Sequence, residues 1–572
     1  MINPRRNNLY KNLTRDDSPA SIRNQHRYRV LRNRPPRCVL SSHSFIMKNL
    51  LLFAALSVKV LSLATPEPPH LNITTTLLGN GIPASIIPKS QGCADACEAL
   101  KRIFGDDKVE TQSESAYSAF VGAFWSRQQR EIAPKCVFKP EKASDVSTVV
   151  LIARLTQCKF AAKSGGHSAV PGGSNIQDGI TISFERMNQT VVSNDKKSVS
   201  FQPGQVWYDV YTKLDKDNLA IIGGRVSDVG VGGLTLGGGI SFFSSMYGLA
   251  CDNVISYELV TASGQIINVS KTSYPDLFWA LRGGGNNFGL VTKFTVNAIP
   301  RASTMWGGSR TYASPSFPSL IKAYYNLGMS AKKDPKAHQI LSFGWGGPQV
   351  GGVSQLELEY ADPNANAPVL AEYNAIPGAF LDGTKINTLA NLTTALGGPT
   401  TTIGLRQSFW TWSAKLDADL ATTIKDIFYE ELPNILNVTN VLPALSFQVI
   451  TEPIIEQTQK NGGNPLGLDP KNGPLLLAFI PVSYSDAAND DKIYKFSATV
   501  KARSVAAAKA KGIHNDYLYM NYGSAFQDPV AGYGSANKAR LVAVSQKYDP
   551  TGVFEKLQPG YFKLAGAPRS GY

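Results

Sequence analysis

Residues 229–270 read VGVGGLTLGGGISFFSSMYGLACDNVISYELVTASGQIINVS, and the glycines that open this stretch decide how the rest of the chain is interpreted. Two more glycine clusters lie close by, KSGGHS at residues 163–168 and LRGGGNNFG at residues 281–289. Glycine lets the backbone adopt positive φ and approach a ligand, and glycine-rich turns offer free N–H groups to phosphate oxygens. The three clusters therefore predict a phosphate-bearing ligand, with a set of tight turns as the alternative.

The usual nucleotide-binding fingerprints are absent from these clusters. A GxGxxG pattern would need glycine at Thr235 or at Phe288, and the sequence contains no Walker A loop. One histidine, His167, lies inside KSGGHS, which is the first of the three clusters along the chain. A neutral imidazole is a competent nucleophile, so His167 has either a reactive role or a structural one in which it only hydrogen-bonds its own loop.

The formal net charge of +14 is concentrated near the N-terminus. Residues 1–46 contain ten Lys and Arg residues against two Asp, and Lys48 and Lys59 precede residue 65, which leaves +4 for the rest. A nearly balanced body argues against nucleic acid as a partner. The hydrophobic content of 43% and the charged content of 17% are typical of a globular protein.

Residues 47–64 have the layout of a secretory signal peptide that begins at Met47. A positive residue is followed by an apolar stretch at residues 50–58 and by small residues before a cleavage site after Ala64. A membrane anchor needs about 20 apolar residues, and this run is shorter. We interpret residues 1–46 as an extension of the gene model. The alternative is a basic disordered arm before an internal signal-anchor.

Cysteines and glycosylation sequons agree with the secretory pathway. Four cysteines cluster early and fit two disulfides that tie an N-terminal helix to the next domain, and the sequence leaves all three pairings open. These are Cys93, Cys97, Cys136 and Cys158, and Cys251 stands apart. No CxxC or HExxH pattern occurs, so no metal site is expected. The sequon asparagines after residue 64 are Asn72, Asn188, Asn268, Asn391 and Asn437.

The pattern of helices and strands changes near Pro300. Before it, short strands such as FAAKSGG and GITISF alternate with helices such as DVSTVVLIARLTQ. After it, longer strand-like runs such as QLELEYAD and PLLLAFIPVSY indicate an antiparallel sheet. Beyond about residue 513 the chain turns to aromatic, Asn- and Gly-rich segments.

The three glycine clusters, in this order and spacing, resemble the FAD-binding domain of the vanillyl-alcohol oxidase and p-cresol methylhydroxylase (PCMH) superfamily. The C-terminal segments YLYMNYGSAFQDP and KYDPTGVFEKLQPG are similar to the berberine-bridge-enzyme-like branch of plants and fungi. The resemblance implies an α+β fold, with a PCMH-type FAD-binding domain of two α+β subdomains and a substrate (cap) domain whose antiparallel sheet is covered by helices. The expected divisions are a helical lead at 65–129, the FAD-binding domain at 130–302, the cap at 303–510 and a C-terminal return at 511–572.

The resemblance also implies which residues contact FAD. His167 matches the histidine that such enzymes bond to the 8α-methyl group of the flavin. Tyr522 is the candidate catalytic residue, which would orient substrate or assist proton removal. The other expected cofactor-binding residues are Ser164, Gly165, Gly166, Ser168, Val229, Gly230, Val231, Gly232, Gly233, Gly237, Gly238, Gly239, Asp252, Asn253, Val254 and Asn521. Among these, Ser164, Ser168 and their glycine neighbours would hold the pyrophosphate through amides and hydroxyls, and Asp252, Asn253 and Val254 would lie near the adenine.

The sequence departs from the bicovalent members at one position. Those members carry a cysteine, bonded to flavin C6, where this chain has Val226, so we expect a single covalent bond through His167. The cap offers four candidates for the catalytic base, and the sequence does not rank them: Glu357, Glu359, Tyr360 and Glu452. His338 and His514 are interpreted as surface or core histidines.

The implied function is a secreted FAD-linked oxidoreductase. It would take a hydride from a small organic substrate onto flavin N5, would be reoxidised by O2, and would modify a secondary metabolite. One alternative is an extracellular carbohydrate or alcohol oxidase, against which Val226 argues. Another is a catalytically silent flavin-binding glycoprotein. Nucleic acid and a membrane anchor are not expected as partners.

Overall fold

The computed structural model of the protein describes residues 71–396 and 402–572. The gene-model extension, the signal peptide and the first residues of the helical lead lie outside this described part. Within it, no helix combines the length and the apolar character that crossing a bilayer requires. The expected α+β fold is confirmed by the mixture of helices with four separate sheets.

The first sheet has four strands in the order β1-β2-β4-β3, and its β2, β4 and β3 run parallel. Helix α5 has apolar residues on all of its faces and is buried on nearly all sides, as expected of a core helix. The first glycine cluster begins where β3 ends. The elements are α1 (Ile73–Gly79), α2 (Cys93–Phe104), β1 (Val109–Thr111), α3 (Ser115–Gly122), α4 (Arg127–Arg130), β2 (Cys136–Phe138), α5 (Ala143–Thr156), β3 (Phe160–Lys163) and β4 (Ile180–Ser183).

Two disulfides attach helix α2 to this sheet. Cys93 pairs with Cys158, just after α5, and Cys97 pairs with Cys136, the first residue of β2. Cys93 and Cys97 are four residues apart, so both face the same side of α2. The expected two disulfides are confirmed, and the structure selects one of the three pairings. Cys251 is a buried free thiol.

The second sheet is antiparallel, with the strand order β5-β6-β10-β8-β9, and β7 pairs separately with β11. The second glycine cluster forms the loop and the short helix α7 between the two halves of this sheet. The elements are β5 (Thr190–Val192), β6 (Ser198–Phe201), α6 (Trp207–Asp215), β7 (Leu219–Ala220), α7 (Val231–Leu236), α8 (Ser244–Tyr247), β8 (Val254–Val260), β9 (Ile266–Ser270), α9 (Pro275–Leu281), β10 (Leu290–Asn297) and β11 (Ile299–Pro300).

The third sheet is antiparallel, with the order β15-β12-β14-β13-β18-β19-β17-β20, and β16 pairs with β12. Helices α10, α13 and α15 cover one face with buried apolar side chains. The elements are β12 (Met305–Ala313), α10 (Phe317–Met329), β13 (Ala337–Trp345), β14 (Gly352–Tyr360), α11 (Ala371–Asn374), β15 (Ala379–Asp382), β16 (Lys385–Asn387), α12 (Leu389–Leu396), β17 (Arg406–Lys415), α13 (Ala418–Glu431), β18 (Leu442–Ile450), α14 (Glu452–Thr458), β19 (Leu475–Tyr484), α15 (Asp490–Ala510) and β20 (His514–Asn515).

The C-terminal segment returns from the third sheet to the glycine clusters. After β20, the buried Tyr519 and Met520 join the apolar core that also contains Val231 and Ile240. Met520 is also the first residue of a short 3-10 turn, Met520–Tyr522. Three helices complete the segment: α16 (Pro529–Gly532), α17 (Ser535–Tyr548) and α18 (Val553–Lys556).

Candidate functional site

A cavity of about 490 Å³ lies between the three glycine clusters, the uncovered face of the third sheet and the C-terminal return. Its volume is within the range of cofactor and ligand pockets. The structure brings eleven of the predicted site residues into its lining: Ser164, Gly165, Gly166, His167, Ser168, Val229, Gly230, Gly232, Gly233, Asn521 and Tyr522.

The turn after β3 presents free amide groups to the cavity. Within the described residues, the backbone N–H groups of Gly165, Gly166 and His167 donate no hydrogen bond to protein. Gly166 has φ of +79°, a conformation that favours glycine. Successive unpaired amides in such a turn form an anion-binding concavity. This donor set fits the phosphates of FAD.

The first two glycine clusters touch each other backbone to backbone. A Cβ atom on Gly230 would lie 2.1 Å from the Gly165 nitrogen, and a Cβ on Gly165 would lie 2.6 Å from the Gly230 nitrogen. Neither distance leaves room for a side chain. Glycine is therefore required at both positions by close approach, because only then can the two amide-bearing segments meet at one wall of the cavity.

The two serine hydroxyls of the first cluster are already engaged within the protein. Ser164 Oγ donates to the Pro203 carbonyl at 2.5 Å and accepts from Gly232 N at 3.1 Å. Ser168 Oγ donates to the Val170 carbonyl at 3.3 Å and accepts from Val170 N at 3.1 Å. Both hydroxyls therefore donate to backbone carbonyls in this structure, and their contact with phosphate stays a prediction.

His167 is held at the cavity wall by an aromatic neighbour. Its ring stacks on Trp125, with the ring centroids 4.0 Å apart and the planes 13° from parallel. Nδ1 lies 3.6 Å from the Asp228 carboxylate. Burial lowers the pKa of His167 to about 4, and the Asp228 charge offsets only part of this effect. The imidazole is consequently neutral at physiological pH, with its lone pair available.

Other predicted site residues lie outside the lining. Val231 is fully buried in the core, and its amide donates to Gln205. A Cβ on Gly237 would lie 2.0 Å from Asn521 Oδ1, so this glycine makes room for a cavity residue without reaching the cavity. Gly238 and Gly239 form the adjoining turn with positive φ.

The residues predicted to lie near the adenine are also outside the lining. The Asp252 carboxylate accepts from Leu249 N at 3.0 Å and from the Asn464 amide at 2.7 Å. Asn253 donates to the carbonyls of Tyr247 and Leu249. These side chains close the turn before β8, which begins at Val254, and their place near the adenine stays a prediction.

Asn521 and Tyr522 occupy the end of the cavity where the C-terminal return meets the third sheet. Asn521 Nδ2 donates to the Leu234 carbonyl at 3.1 Å, and its Oδ1 accepts from the Tyr561 hydroxyl at 3.2 Å. The Tyr522 hydroxyl oxygen accepts from Arg225 Nη2 at 2.9 Å and from Gln448 Nε2 at 3.0 Å. Both predicted residues are thus fixed by hydrogen bonds at the cavity.

Alternation along two strands of the third sheet produces an aromatic wall opposite the glycine clusters. Successive side chains of a strand point to opposite faces, so alternate residues in one part of β17 and of β19 face the cavity. Tyr522 stacks on Phe479, with the centroids 4.1 Å apart. The cavity-facing residues of the two strands are Gln407, Phe409, Phe479, Pro481 and Ser483. A flat, apolar molecule fits such a wall.

None of the four base candidates in the cap lines the cavity. Glu357 and Glu359 are buried behind it, the Tyr360 hydroxyl donates to Asp334, and Glu452 forms an ion pair with Lys332.

The polar groups beside Tyr522 at this end of the cavity were not predicted from the sequence. Arg225 lines the cavity, while Gln448 and His338 lie just behind it. The one available signal was a cation inside the glycine-rich stretch GGRVSD.

Position 226 bears on the number of covalent bonds. Val226 lines the cavity, whereas Cys251 is buried outside it. The described residues also contain no cluster of three or more His, Cys, Asp or Glu side chains able to hold a metal.

Comparison with known proteins assigns two parts of the chain to families. Residues 134–270 match the family described as FAD binding domain, and residues 518–559 match the family described as berberine and berberine like. The FAD-dependent monooxygenase FUP4 of Fusarium proliferatum is 35% identical over 501 residues, which cover 84% of this chain and 96% of that protein. The FAD-dependent monooxygenase tpcD of Cochliobolus heterostrophus is 34% identical, with coverage of 82% and 94%.

Solved structures share the fold. The 6-hydroxy-D-nicotine oxidase of Arthrobacter nicotinovorans superimposes with a TM-score of 0.66 at 21% identity, over 78% of this chain and 96% of the other. A xylooligosaccharide oxidase of Myceliophthora thermophila C1 gives a TM-score of 0.65 at 21% identity, over 84% and 100%. At these identities the similarity concerns the fold alone.

Proposed function

The chain belongs to the berberine-bridge-enzyme-like family of FAD-dependent oxidoreductases, and from this premise we propose that it oxidises a flat small organic molecule at FAD bound covalently through His167. One observation carries the proposal: a neutral, aromatic-stacked imidazole stands beside free backbone amides in the cavity that also contains Tyr522. Bound FAD would supply a two-electron acceptor for a hydride from substrate and would be returned to its oxidised form by O2.

Each wall of the cavity has its own task in this proposal. The amides of Gly165, Gly166 and His167 would bind the pyrophosphate, and the contact between Gly165 and Gly230 keeps that wall closed. The aromatic side chains Phe409 and Phe479 would orient a flat substrate and exclude water from the reacting bond. The hydroxyl of Tyr522 would exchange a proton with the substrate, since it lies in the cavity within a set of fixed donors.

Covalent attachment requires a deprotonated ring nitrogen on His167. Burial provides this form, and Trp125 fixes the plane of the ring. Attachment would replace one C–H bond of the 8α-methyl group by a C–N bond, and the two electrons released would reduce the flavin, which O2 would reoxidise. The Asp228 carboxylate, 3.6 Å from Nδ1, is placed to accept the proton that the imidazole would lose. Because Val226 occupies the position of the second attachment, the proposal includes a single covalent bond.

The names of the relatives favour a second candidate reaction, in which O2 supplies an oxygen atom to the product. FUP4 and tpcD are both named monooxygenases, so one oxygen atom of O2 could enter the product instead of leaving as peroxide. Turnover under 18O2 separates the two: label in the product supports monooxygenation, and an unlabelled product with one peroxide per turnover supports the oxidase. The same names weigh against a catalytically silent glycoprotein, and Val226 still weighs against a carbohydrate oxidase.

We also propose that the protein is secreted. The five sequon asparagines (Asn72, Asn188, Asn268, Asn391 and Asn437) are all exposed, as a glycan acceptor must be. Two disulfides are present, and such bonds persist in oxidising compartments. The proposed signal peptide lies outside the described residues, so sequencing the N-terminus of the mature protein tests it: a start near residue 65 supports cleavage.

The covalent bond is tested by acid precipitation of the purified protein. Flavin absorbance that stays in the pellet supports the bond, and flavin released by His167→Ala assigns it. His514→Ala is the matched control, because His514 lies on β20 outside the cavity and should retain the flavin. Release of flavin from the wild-type protein would contradict the role of His167. A colourless protein would contradict the whole proposal.

A further inference from the structure

A buried series of hydrogen bonds connects the third sheet to Tyr522. Glu359 on β14 and His338 on β13 are direct cross-strand partners, and Glu359 Oε2 lies 2.7 Å from His338 Nδ1. His338 Nε2 lies 2.9 Å from Arg225 Nη1, and Arg225 Nη2 donates to the Tyr522 oxygen at 2.9 Å. We call these four residues, Glu359, His338, Arg225 and Tyr522, the buried relay. It joins residues from three separate parts of the sequence.

The relay carries charge in a place that water hardly reaches. Arg225 and Glu359 are 6% and 2% exposed, and the ring of Phe242 packs edge-on against His338. Among the described residues, Arg225 forms no direct ion pair, so its nearest linked carboxylate is Glu359, reached through His338. A buried charge is costly unless it is hydrogen-bonded and balanced. The relay meets the first need, because Arg225 donates to His338 and to Tyr522, whereas burial and the neighbouring Glu357 raise the pKa of Glu359 well above its ordinary value.

The donor pattern fixes the tautomer of His338. A guanidinium only donates, so His338 Nε2 must accept, and the ring proton must lie on Nδ1, where it donates to Glu359. Burial holds the pKa of His338 well below its ordinary value, and the charge of Arg225 lowers it further. The ring is therefore neutral and serves as a directional link between Glu359 and Arg225.

The other end of the relay determines where the Tyr522 hydroxyl points. Its oxygen accepts from Arg225 and from Gln448, so the hydroxyl hydrogen is left to point toward the cavity. Stacking on Phe479 and edge contact with Tyr519, with centroids 4.8 Å apart, restrict the ring itself. Both the ring plane and the hydroxyl direction are thereby fixed before substrate enters.

We propose that Arg225 is a positioning residue for the Tyr522 hydroxyl, and that His338 and Glu359 hold Arg225 in that position. The proposal rests on the proposed function, since it assigns a task to the Tyr522 hydroxyl. Arg225 acts through Tyr522 and not on the reacting bond. A displacement of about 1 Å in a catalytic group can cost on the order of 100-fold in rate. We therefore expect Arg225→Met to lower kcat by about that factor, with little change in KM.

The decisive measurement does not depend on turnover. In the holoenzyme labelled with 15N-histidine and with tyrosine carrying 13C at Cζ, NMR reports the His338 tautomer and the environment of the Tyr522 oxygen. His338→Phe and Tyr522→Phe assign the two signals by their loss. The wild-type protein is expected to show His338 protonated at Nδ1 only. Arg225→Met and His338→Phe are both expected to shift the Tyr522 signal.

A matched control separates the relay from general effects on the cap. Arg310 also lies on the third sheet, but it binds Asp382 and Asn374 outside the relay, so Arg310→Met should leave both signals unchanged. A His338 ring protonated at Nε2 in the wild-type protein would overturn the proposal, even if Arg225→Met failed to fold. So would a Tyr522 signal that Arg225→Met leaves in place. Failure of the covalent flavin bond appears separately, in acid precipitation.

Discussion

Replacing Gly230 by alanine should separate the two glycine clusters that form the amide-bearing wall. The new Cβ would lie 2.1 Å from the backbone nitrogen of Gly165, 2.7 Å from Ser164 Oγ and 2.8 Å from the Gly165 Cα. Normal contacts of carbon are about 3.5 Å, so the backbone segments must move apart by more than 1 Å. No side chain can rotate to relieve the clash, because the nearest atom belongs to the backbone.

Gly232→Ala is the matched comparison. Gly232 also lines the cavity, but its Cβ would meet only side-chain atoms, with Ser164 Oγ at 3.3 Å and Pro203 Cβ at 3.5 Å. Overpacking costs about 1–3 kcal/mol, which corresponds to roughly 5- to 150-fold in a dissociation constant. We expect a loss of FAD affinity in this range for Gly230→Ala and less than about threefold for Gly232→Ala.

The affinity is best measured in the His167→Ala background, where no covalent bond can mask a weak site. FAD added to the apoprotein is followed by the quenching of its fluorescence, and circular dichroism checks that both variants remain folded. Equal FAD affinities for the two alanine variants would refute the argument. The clash with the Gly165 backbone would then have no effect beyond that of adding a methyl group to the cavity wall. A folded Gly230→Ala protein that binds FAD as tightly as its parent would refute it as well.

Three further outcomes are expected. Burial raises the pKa of Glu357 to about 7 from 4.5, so its carboxyl favours folding only while protonated: the wild-type protein should lose up to about 3 kcal/mol relative to Glu357→Gln as pH rises from 4.5 to 7, seen as diverging unfolding midpoints, and midpoints that stay parallel would contradict this. Removing the Cys97–Cys136 disulfide, which closes a loop of 39 residues, should destabilise the protein by about 4 kcal/mol in denaturant titrations, and an unchanged midpoint would contradict this. Enzymatic deglycosylation of the secreted protein should lower its mass in steps that disappear one at a time with Asn→Gln changes at the sequons; a mass that does not change would contradict glycosylation.

Much of the FAD-binding region was predictable because its requirements are local. A glycine-rich turn directly after a strand is a property of neighbouring residues, and so the cavity position of Gly165, Gly166 and His167 could be expected from the sequence. The alternation that places Phe479 and Pro481 on the cavity face has a period of two and is likewise local. The family resemblance extended these local signals to FAD.

The hydrogen-bond partners of other site residues could not be predicted from the sequence alone. Which acceptor takes a hydroxyl proton depends on the groups nearby in space, and for Ser164 that acceptor is the Pro203 carbonyl, 39 residues away. The turn at Asp252 is a second example, because the Asp252 carboxylate accepts a hydrogen bond from the distant Asn464. Sequence spacing carries no record of such competition among hydrogen-bond partners.

The sequence by itself determined the glycine clusters, the histidine in the turn after β3, four cysteines able to form two disulfides, and the family. Only the tertiary structure decided which cysteines pair, that Gly165 meets Gly230, that Gly237 yields its space to Asn521, and that His338 connects Glu359 to Arg225. The physical reason is one of range. Backbone conformation and strand periodicity act over a few residues, whereas burial, steric exclusion and buried hydrogen bonds depend on segments that packing brings together from distant parts of the sequence.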